Sequence, residues 1–250
     1  MILERLFSVY ECLIFRKDYL SRRAFKFLGM VVQCLIIEVF GPLEDRICAF
    51  TSAISVAMDL NTDLTIYWSA NDPACMARFE TLFDPSALPA WVTVEMKSVK
   101  QDPHVVVKTV EHMKTYIETG LSLPIRSNAQ FHPDFEVKWL LRASMTEIGI
   151  KSQAIKPQAI GVYVEKRLDS TLLSAMDAET DDFLVIVPNR ATERDLIGRF
   201  GSRVTIASVG VSTMTQKGML QILDNFLALT KCKKILSNGR FGEVAKLYQS

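Results

Sequence analysis

The chain has 250 residues, 49% hydrophobic and 23% charged, which excludes disordered and fibrous architectures and leaves room for one large domain or two small ones. Lys and Arg total 29 against 28 Asp and Glu, a net charge of +1, so no bulk field draws the chain onto nucleic acid or an anionic membrane and any anion must be met locally. Five scattered cysteines (Cys12, Cys34, Cys48, Cys75 and Cys232) form no CxxC pair, which argues against a zinc site and a disulfide framework and reads as free thiols in a reducing, cytoplasmic compartment.

Residues 1–26 carry six basic side chains against three acids, and Phe27 to Phe40 is then almost wholly apolar. That stretch includes Gln33 and Glu38 and is shorter than the roughly 20 apolar residues a spanning helix needs; no small-residue cleavage site follows it. A buried strand is the favoured reading, with a membrane anchor or peripheral association as the alternative. From Val31 onward short β-branched runs alternate with stretches of helical period, the mark of an α/β fold with a mainly parallel sheet. The expected strands are Cys34 to Val39, Leu64 to Trp68, Trp91 to Met96, Ala159 to Val164, Phe183 to Val187, Arg203 to Ala207 and Lys234 to Leu236. After the first of these, Ile47, Phe50, Thr51, Ile54 and Met58 share one helical face, with Asp45 placed to cap it. Further helices are expected over Cys75 to Phe83, His104 to Glu118, Phe135 to Ile148, Ser170 to Ala178, Thr192 to Phe200, Lys217 to Thr230 and Phe241 to Tyr248. Periodicity lapses from Gly149 to Gln158, the best linker between two unequal α/β halves.

In an open parallel sheet ligands gather at the carboxyl ends of strands, which singles out four loops. The first, Gly41 to Arg46, is a strand-to-helix turn where backbone N–H groups, Asp45 and the Arg46 cation stand at a helix start; it reads as an anion site or a plain turn. In the second, a strand through Tyr163 emerges into Glu165, Lys166, Arg167 and Asp169, either a solvated loop or a diphosphate clamp. The third holds Asn189, able to meet a base or ribose if it is more than a Pro-Asn turn. The fourth, Ser237, Asn238, Gly239 and Arg240, leads a short strand through an Asn-Gly turn into the last helix. His104, His112 and His132 lack metal-ligand spacing, and no GxSxG, GxxxxGK[ST] or complete GxGxxG motif occurs, which disfavours serine hydrolases, P-loop NTPases and standard dinucleotide dehydrogenases.

Read in order, these segments resemble the fucosyltransferase-like superfamily of α-1,6-fucosyltransferases, nodulation fucosyltransferases and protein O-fucosyltransferases. Gly41 to Ala53 resembles its opening GGLGNRLRALASA-type signature, and Trp68, Asn71-Asp72-Pro73, Cys75, Arg78-Phe79 and Leu82-Phe83 match a W-x-x-N/D-P-x-C-x-x-R-F-x-x-L-F passage. Downstream, Ile160 to Val164 is similar to the IGVHIRRTD strand, Phe183 to Asn189 stands at FLATDD, Thr215 to Leu229 and Cys232 to Ser237 resemble the D-x-L-x-L-S-x-C-D-x-L-I-G-S region, and Phe241 to Ala245 stands in place of S-F-S-E-L-A. The resemblance covers roughly residues 34 to 248 and implies two facing Rossmann-like domains of GT-B type. Residues 1–30 would be an extension, 31–150 the acceptor-side domain and 151–250 the nucleotide-sugar-binding domain. It implies transfer of fucose from GDP-fucose to a glycan or other acceptor, without a cofactor or obligatory metal. Arg46, Lys166, Arg167 and Asp169 would be catalytic, and Gly41, Asp45, Tyr163, Asn189, Ser237, Asn238 and Arg240 would bind the nucleotide sugar. Tyr163 and Glu165 stand where the family has its histidine and arginine, and Glu44 replaces the second signature glycine. Those replacements support a second reading, a binding protein that keeps the fold without catalysis.

Overall fold

The computed structural model describes residues 34–249 except residue 70 and the segments 100–102, 120–122 and 132–158. Two all-parallel sheets organise the described residues. The first joins β1 (Leu35–Val39), β2 (Leu64–Trp68), β3 (Val92–Glu95), β4 (Val105–Val106) and β5 (Ile125–Ser127) in the order β3-β2-β1-β5-β4. The second joins β6 (Ile160–Tyr163), β7 (Phe183–Val187), β8 (Val204–Val209) and β9 (Lys234–Ser237) in the order β8-β7-β6-β9. Between strands run α1 (Leu43–Asp59), α2 (Phe79–Leu82), α3 (Val110–Thr119), α4 (Ser170–Asp177), α5 (Arg190–Phe200), α6 (Gln216–Thr230) and α7 (Arg240–Leu247). The expected fold class is therefore observed, and the apolar run ending at Phe40 contributes the central strand β1. Among the described residues no helix is long and apolar enough to cross a membrane.

The local departures have physical causes. Asp45 does not cap α1: the helix starts earlier, with Pro42 at its N-cap, so Asp45 lies in the first turn, where its charge suits the helix dipole. The helix expected from Cys75 shrinks to α2, because Asp72 and Cys75 form an isolated bridge ahead of it. The helix expected from His104 begins only at Val110, since Val105 and Val106 are claimed as an edge strand. β5 went unanticipated although it pairs directly with β1; it is three residues long with an arginine at its centre. That arginine, Arg126, donates from Nε to the carboxylate of Glu38 on β1 at 2.9 Å. Glu38 is 0% exposed and also accepts from Ser98 Oγ at 2.6 Å and the Val99 N–H at 3.3 Å. A charged pair thus completes a sheet interior that the hydrophobic pattern alone does not predict.

The linker expected at 149–158, the helix expected over Phe135 to Ile148, and residues 1–33 lie outside the described residues. The change of sheet falls between Ser127 and Ile160. The helix α7 packs beside β9 and β6 of its own sheet and reaches across to α1 of the first half as well. Tyr248 Oη and Thr51 Oγ1 lie 2.9 Å apart in the buried contact, and one hydrophobic core runs from Ile37 and Phe50 through Phe226 to Phe241 and Tyr248. This explains why α1 is buried on nearly all sides. Ala49, Ser52, Ala53 and Ser55 keep its perimeter narrow enough to be sandwiched.

Deleting one partner of a buried charge pair leaves the other uncompensated. Glu38→Ala is expected to lower unfolding stability by about 3 kcal/mol or more, whereas Glu38→Leu combined with Arg126→Leu recovers most of that loss. Urea denaturation midpoints at unchanged m-value measure both effects.

Candidate functional site

Each sheet reverses its winding at one point. In the first the chain steps from β1 to β2 to β3, then crosses to the far edge and returns as β5 beside β1; in the second the reversal lies between β6 and β9. Loops at such a point diverge and leave a crevice at the carboxyl ends of the strands. Three of the four loops singled out from sequence leave these strands, and the fourth follows the neighbouring β7.

The loop after β1 is held rigidly. Gly41 adopts φ +87°, a left-handed conformation suited to glycine, and donates its N–H to Asp72 Oδ2 at 2.7 Å. Arg46 is 0% exposed and does not line the cleft described below. Its Nε donates to the Gly41 carbonyl at 2.8 Å, Nη1 to the Ser69 carbonyl at 2.7 Å, and Nη2 lies 3.3 Å from Asp72 Oδ2. The guanidinium also lies over the Trp68 ring, 4.8 Å from its centroid. Arg46, a candidate to meet an anion, is therefore a buried tie between β1, β2 and the Asp72 turn.

In the second half, Asn238 staples the loop after β6. Its Oδ1 accepts the Glu165 N–H at 3.1 Å, and its Nδ2 donates to the Arg167 carbonyl and to Asp169 Oδ2, both at 2.7 Å. Asp169 also caps α4 by accepting the Leu172 N–H, and these hydrogen bonds hold its carboxyl below the usual carboxylate range. Asn189 caps α5 through the Thr192 N–H at 3.0 Å, and the Ser237 hydroxyl donates to the Gly239 carbonyl while accepting its N–H. These side chains are engaged in shaping turns. Lys166 and Arg167 are exposed on the β6 loop without an ion pair among the described residues. Arg240, 48% exposed at the start of α7, pairs with Asp45 at 3.2 Å and so links the two halves.

A cleft of about 300 Å³ lies where the carboxyl ends of the two sheets face each other. Pro42, Leu43 and Glu44 at the start of α1 form one wall, with Tyr163 to Glu165 at the end of β6 and just beyond it, Ile186 to Pro188 at the end of β7, and Phe241 of α7 on the other side. Tyr163 stacks on Phe241 with ring centroids 4.9 Å apart. Of the candidates from sequence, Tyr163 lines the cleft directly; Gly41, Asp45, Asn238 and Arg240 shape or flank it. Two helix N-termini, of α1 at Pro42 and α7 at Gly239, open there without side-chain caps. Among the described residues the charged side chains in the lining are both acids, Glu44 and Glu165. Burial pushes the Glu44 carboxyl up to about 7, reinforced by Asp45 and Glu165 and opposed by its own backbone N–H and Arg240. Burial and the same two glutamates, Glu44 and Glu165, push the Tyr163 hydroxyl up to about 12.

The lining also includes Met219, Ile222 and Asn225 of α6, which the sequence reading did not single out. Asn225 was detectable as an amide within the apolar run Leu223 to Leu229, interrupted otherwise only by Asp224. Four cysteines, Cys34, Cys48, Cys75 and Cys232, are free thiols, and among the described residues no group of three or more His, Cys, Asp or Glu is arranged to hold a metal ion.

No sequence profile of a known family and no curated protein matches the chain. Solved structures do. NodZ α-1,6-fucosyltransferase co-crystallised with GDP is similar over 86% of this chain and 91% of its own, with 15% identity and a TM-score of 0.58. Fucosyltransferase NodZ from Bradyrhizobium is similar over 86% of this chain and 92% of its own, at 16% identity and TM-score 0.59. Arabidopsis thaliana FUT1, a variant in complex with GDP, is similar over 93% of this chain and 73% of its own, at 14% identity and TM-score 0.55. The chain has a fucosyltransferase-like fold, as its motifs led us to expect.

The raised Glu44 carboxyl has a consequence for stability. Because its folded pKa lies above its unfolded value near 4.5, its contribution is fully present below about pH 4.5 and is lost as pH rises through about 7. Glu44→Gln should therefore melt higher than the parent at pH 8, with the gap closing toward pH 4.5. Thermal melts across that range measure the difference.

Proposed function

We propose that this protein transfers a sugar, fucose from GDP-fucose in the first instance, to a hydroxyl of a glycan or other acceptor, with the donor in the cleft between the two sheets. The observation that carries the reading is the position of the cleft. It lies at the carboxyl ends of two facing parallel sheets, in a fold shared with a fucosyltransferase crystallised with GDP and soaked with GDP-fucose.

In such a transfer the acceptor oxygen bonds to the anomeric carbon while the bond from that carbon to the phosphate oxygen breaks, its electron pair leaving with the diphosphate. The protein must stabilise that developing charge. The groups suited to this work are Arg240, the uncapped N-terminus of α7, and the exposed Lys166 and Arg167 on the loop that follows Glu165. The reading assigns this task to side chains and backbone and uses no metal or cofactor. Arg46 and Asp169 act as positioning residues, fixing the loops through which the others reach the ligand. Glu44, with its carboxyl near 7, is suited to take the acceptor proton at neutral pH.

Replacing Lys166, Arg167 and Arg240 together by alanine should lower transfer by about 10²-fold or more while the fold melts cooperatively. Radiolabelled fucose transfer from GDP-fucose to an acceptor glycan panel reads the rate. Calorimetric titration with GDP, UDP and their sugars reads binding. Silence toward every nucleotide overturns the proposal in favour of a binding protein that keeps the fold without catalysis.

A further inference from the structure

α6 presents Met219, Ile222 and Asn225 to the cleft at three-residue spacing, one face of the helix. Two of these suit the apolar surroundings supplied by Leu43, Val187 and Phe241. Asn225 does not. It is 6% exposed, yet its carboxamide has no hydrogen-bond partner among the described residues. Its polar atoms are not among the fully occluded unpaired ones, so what exposure they keep is toward the cleft they line. A buried amide without a partner is destabilising, and leucine at this position would satisfy the packing without that cost. A side chain that weakens the fold in the empty state is accounted for when it serves a ligand.

The cleft narrows the chemistry of that ligand. A carboxamide donates and accepts side by side, so its complement is an uncharged group offering both, either the amide edge of a nucleobase or neighbouring hydroxyls of a sugar. An anion is disfavoured at this depth, because among the described residues Glu44 and Glu165 are the charged groups of the lining and no cation joins them there. The cations lie elsewhere: Arg240 at the α7 start is 48% exposed, and Lys166 and Arg167 stand on an exposed loop. On the nucleotide-sugar reading, we propose that Asn225 is a specificity-determining residue that hydrogen-bonds the uncharged part of the donor at the depth of the cleft, leaving the diphosphate toward the rim. The donor is thereby oriented by one amide inside and cations outside.

Asn225→Leu, which keeps the branched heavy-atom skeleton and carries no hydrogen-bonding atoms, tests this directly, with Asn225→Asp as a second variant that keeps the acceptor and loses the donor. Calorimetric titration of GDP-fucose, GDP, guanosine and L-fucose into parent and variants is paired with thermal melts. Asn225→Leu is expected to melt at or above the parent temperature and to weaken GDP-fucose binding by about tenfold or more. If guanosine binding falls in parallel, the amide reads the base; if guanosine and GDP are unaffected and only the added affinity from fucose is lost, it reads the sugar. Unchanged GDP-fucose affinity in Asn225→Leu overturns the inference and leaves the nucleotide-sugar reading intact, as does a drop of several degrees in melting temperature that accounts for the lost binding. A parent that binds none of the four overturns both.

Discussion

A guanidinium withdrawn from water, Arg46, ties together the parts of the first half that face the cleft. It reaches the Gly41 carbonyl after β1, the Ser69 carbonyl after β2 and the carboxylate of Asp72. Asp72 in turn holds the Gly41 N–H, so the left-handed glycine turn is clamped from both its donor and its acceptor. Taking this charge out of water is costly, and burial accordingly pulls the Arg46 pKa down, against the opposing pull of Cys75, Asp72 and Glu38. The network returns that cost by fixing where α1 begins. The N-terminus of α1 carries Glu44 into the cleft and Asp45 to Arg240, so the wall of the site and the bridge between the halves both depend on this one buried side chain.

That dependence explains which parts of the site were legible in sequence. The passage from Trp68 to Phe83, the most specific motif match, proves to be packing and loop support. Trp68, Phe79 and Phe83 form an aromatic cluster with ring centroids 5.1 to 6.0 Å apart, the Trp68 indole donates to the Ala77 carbonyl, and Asp72 anchors the Gly41 turn. Motif reading finds residues whose spacing is fixed by local geometry, and these are such residues. It located the carboxyl-end loops correctly because β-branched runs and turn residues declare where strands stop. It did not reveal that Arg46, Asp169 and Asn189 spend their polar atoms within the protein, because a cation or amide at a helix start looks the same whether it meets a ligand or a carbonyl. Nor did it find β5, whose central arginine is neutralised by Glu38, a partner 88 residues earlier in the chain. Asn225 was overlooked for a related reason: a helix face gives its period, not what it faces.

The cleft balances opposing electrostatic influences. Two uncapped helix N-termini project positive potential into it, while Glu44 and Glu165 supply negative charge inside. Gly239 matters to this balance, since a Cβ there would lie 2.5 Å from the Glu165 Cβ and 3.0 Å from its carboxyl carbon. The glutamate therefore sits close against the start of α7, where an anion is favoured, and the absent side chain allows the approach. An acid in this position offsets the helix field when no ligand is present. On the proposed nucleotide-sugar reading, a diphosphate approaching the same helix would have to displace that acid or share the field with it, and recruiting it would fall to the exposed cations Arg240, Lys166 and Arg167.

The cleft is also a property of how the halves are joined. Besides Asp45 with Arg240, the Met76 N–H donates to the Thr213 carbonyl at 3.3 Å and the Thr213 hydroxyl donates to the Pro73 carbonyl at 3.1 Å, so the Asp72 turn that steadies Gly41 also touches the loop after β8. Behind these contacts α7 lies against α1, with Phe226, Phe241 and Tyr248 in the shared core. The polar contacts at the mouth are partly exposed, and such contacts contribute little each. The apolar seam at the back is the stronger link. Relative movement of the halves would therefore cost least as a rotation about that seam, parting Asp45 from Arg240 and Thr213 from Pro73 while α1 and α7 stay in contact. On this arrangement the mouth of the cleft is held by weak polar contacts and its deep wall by the buried core.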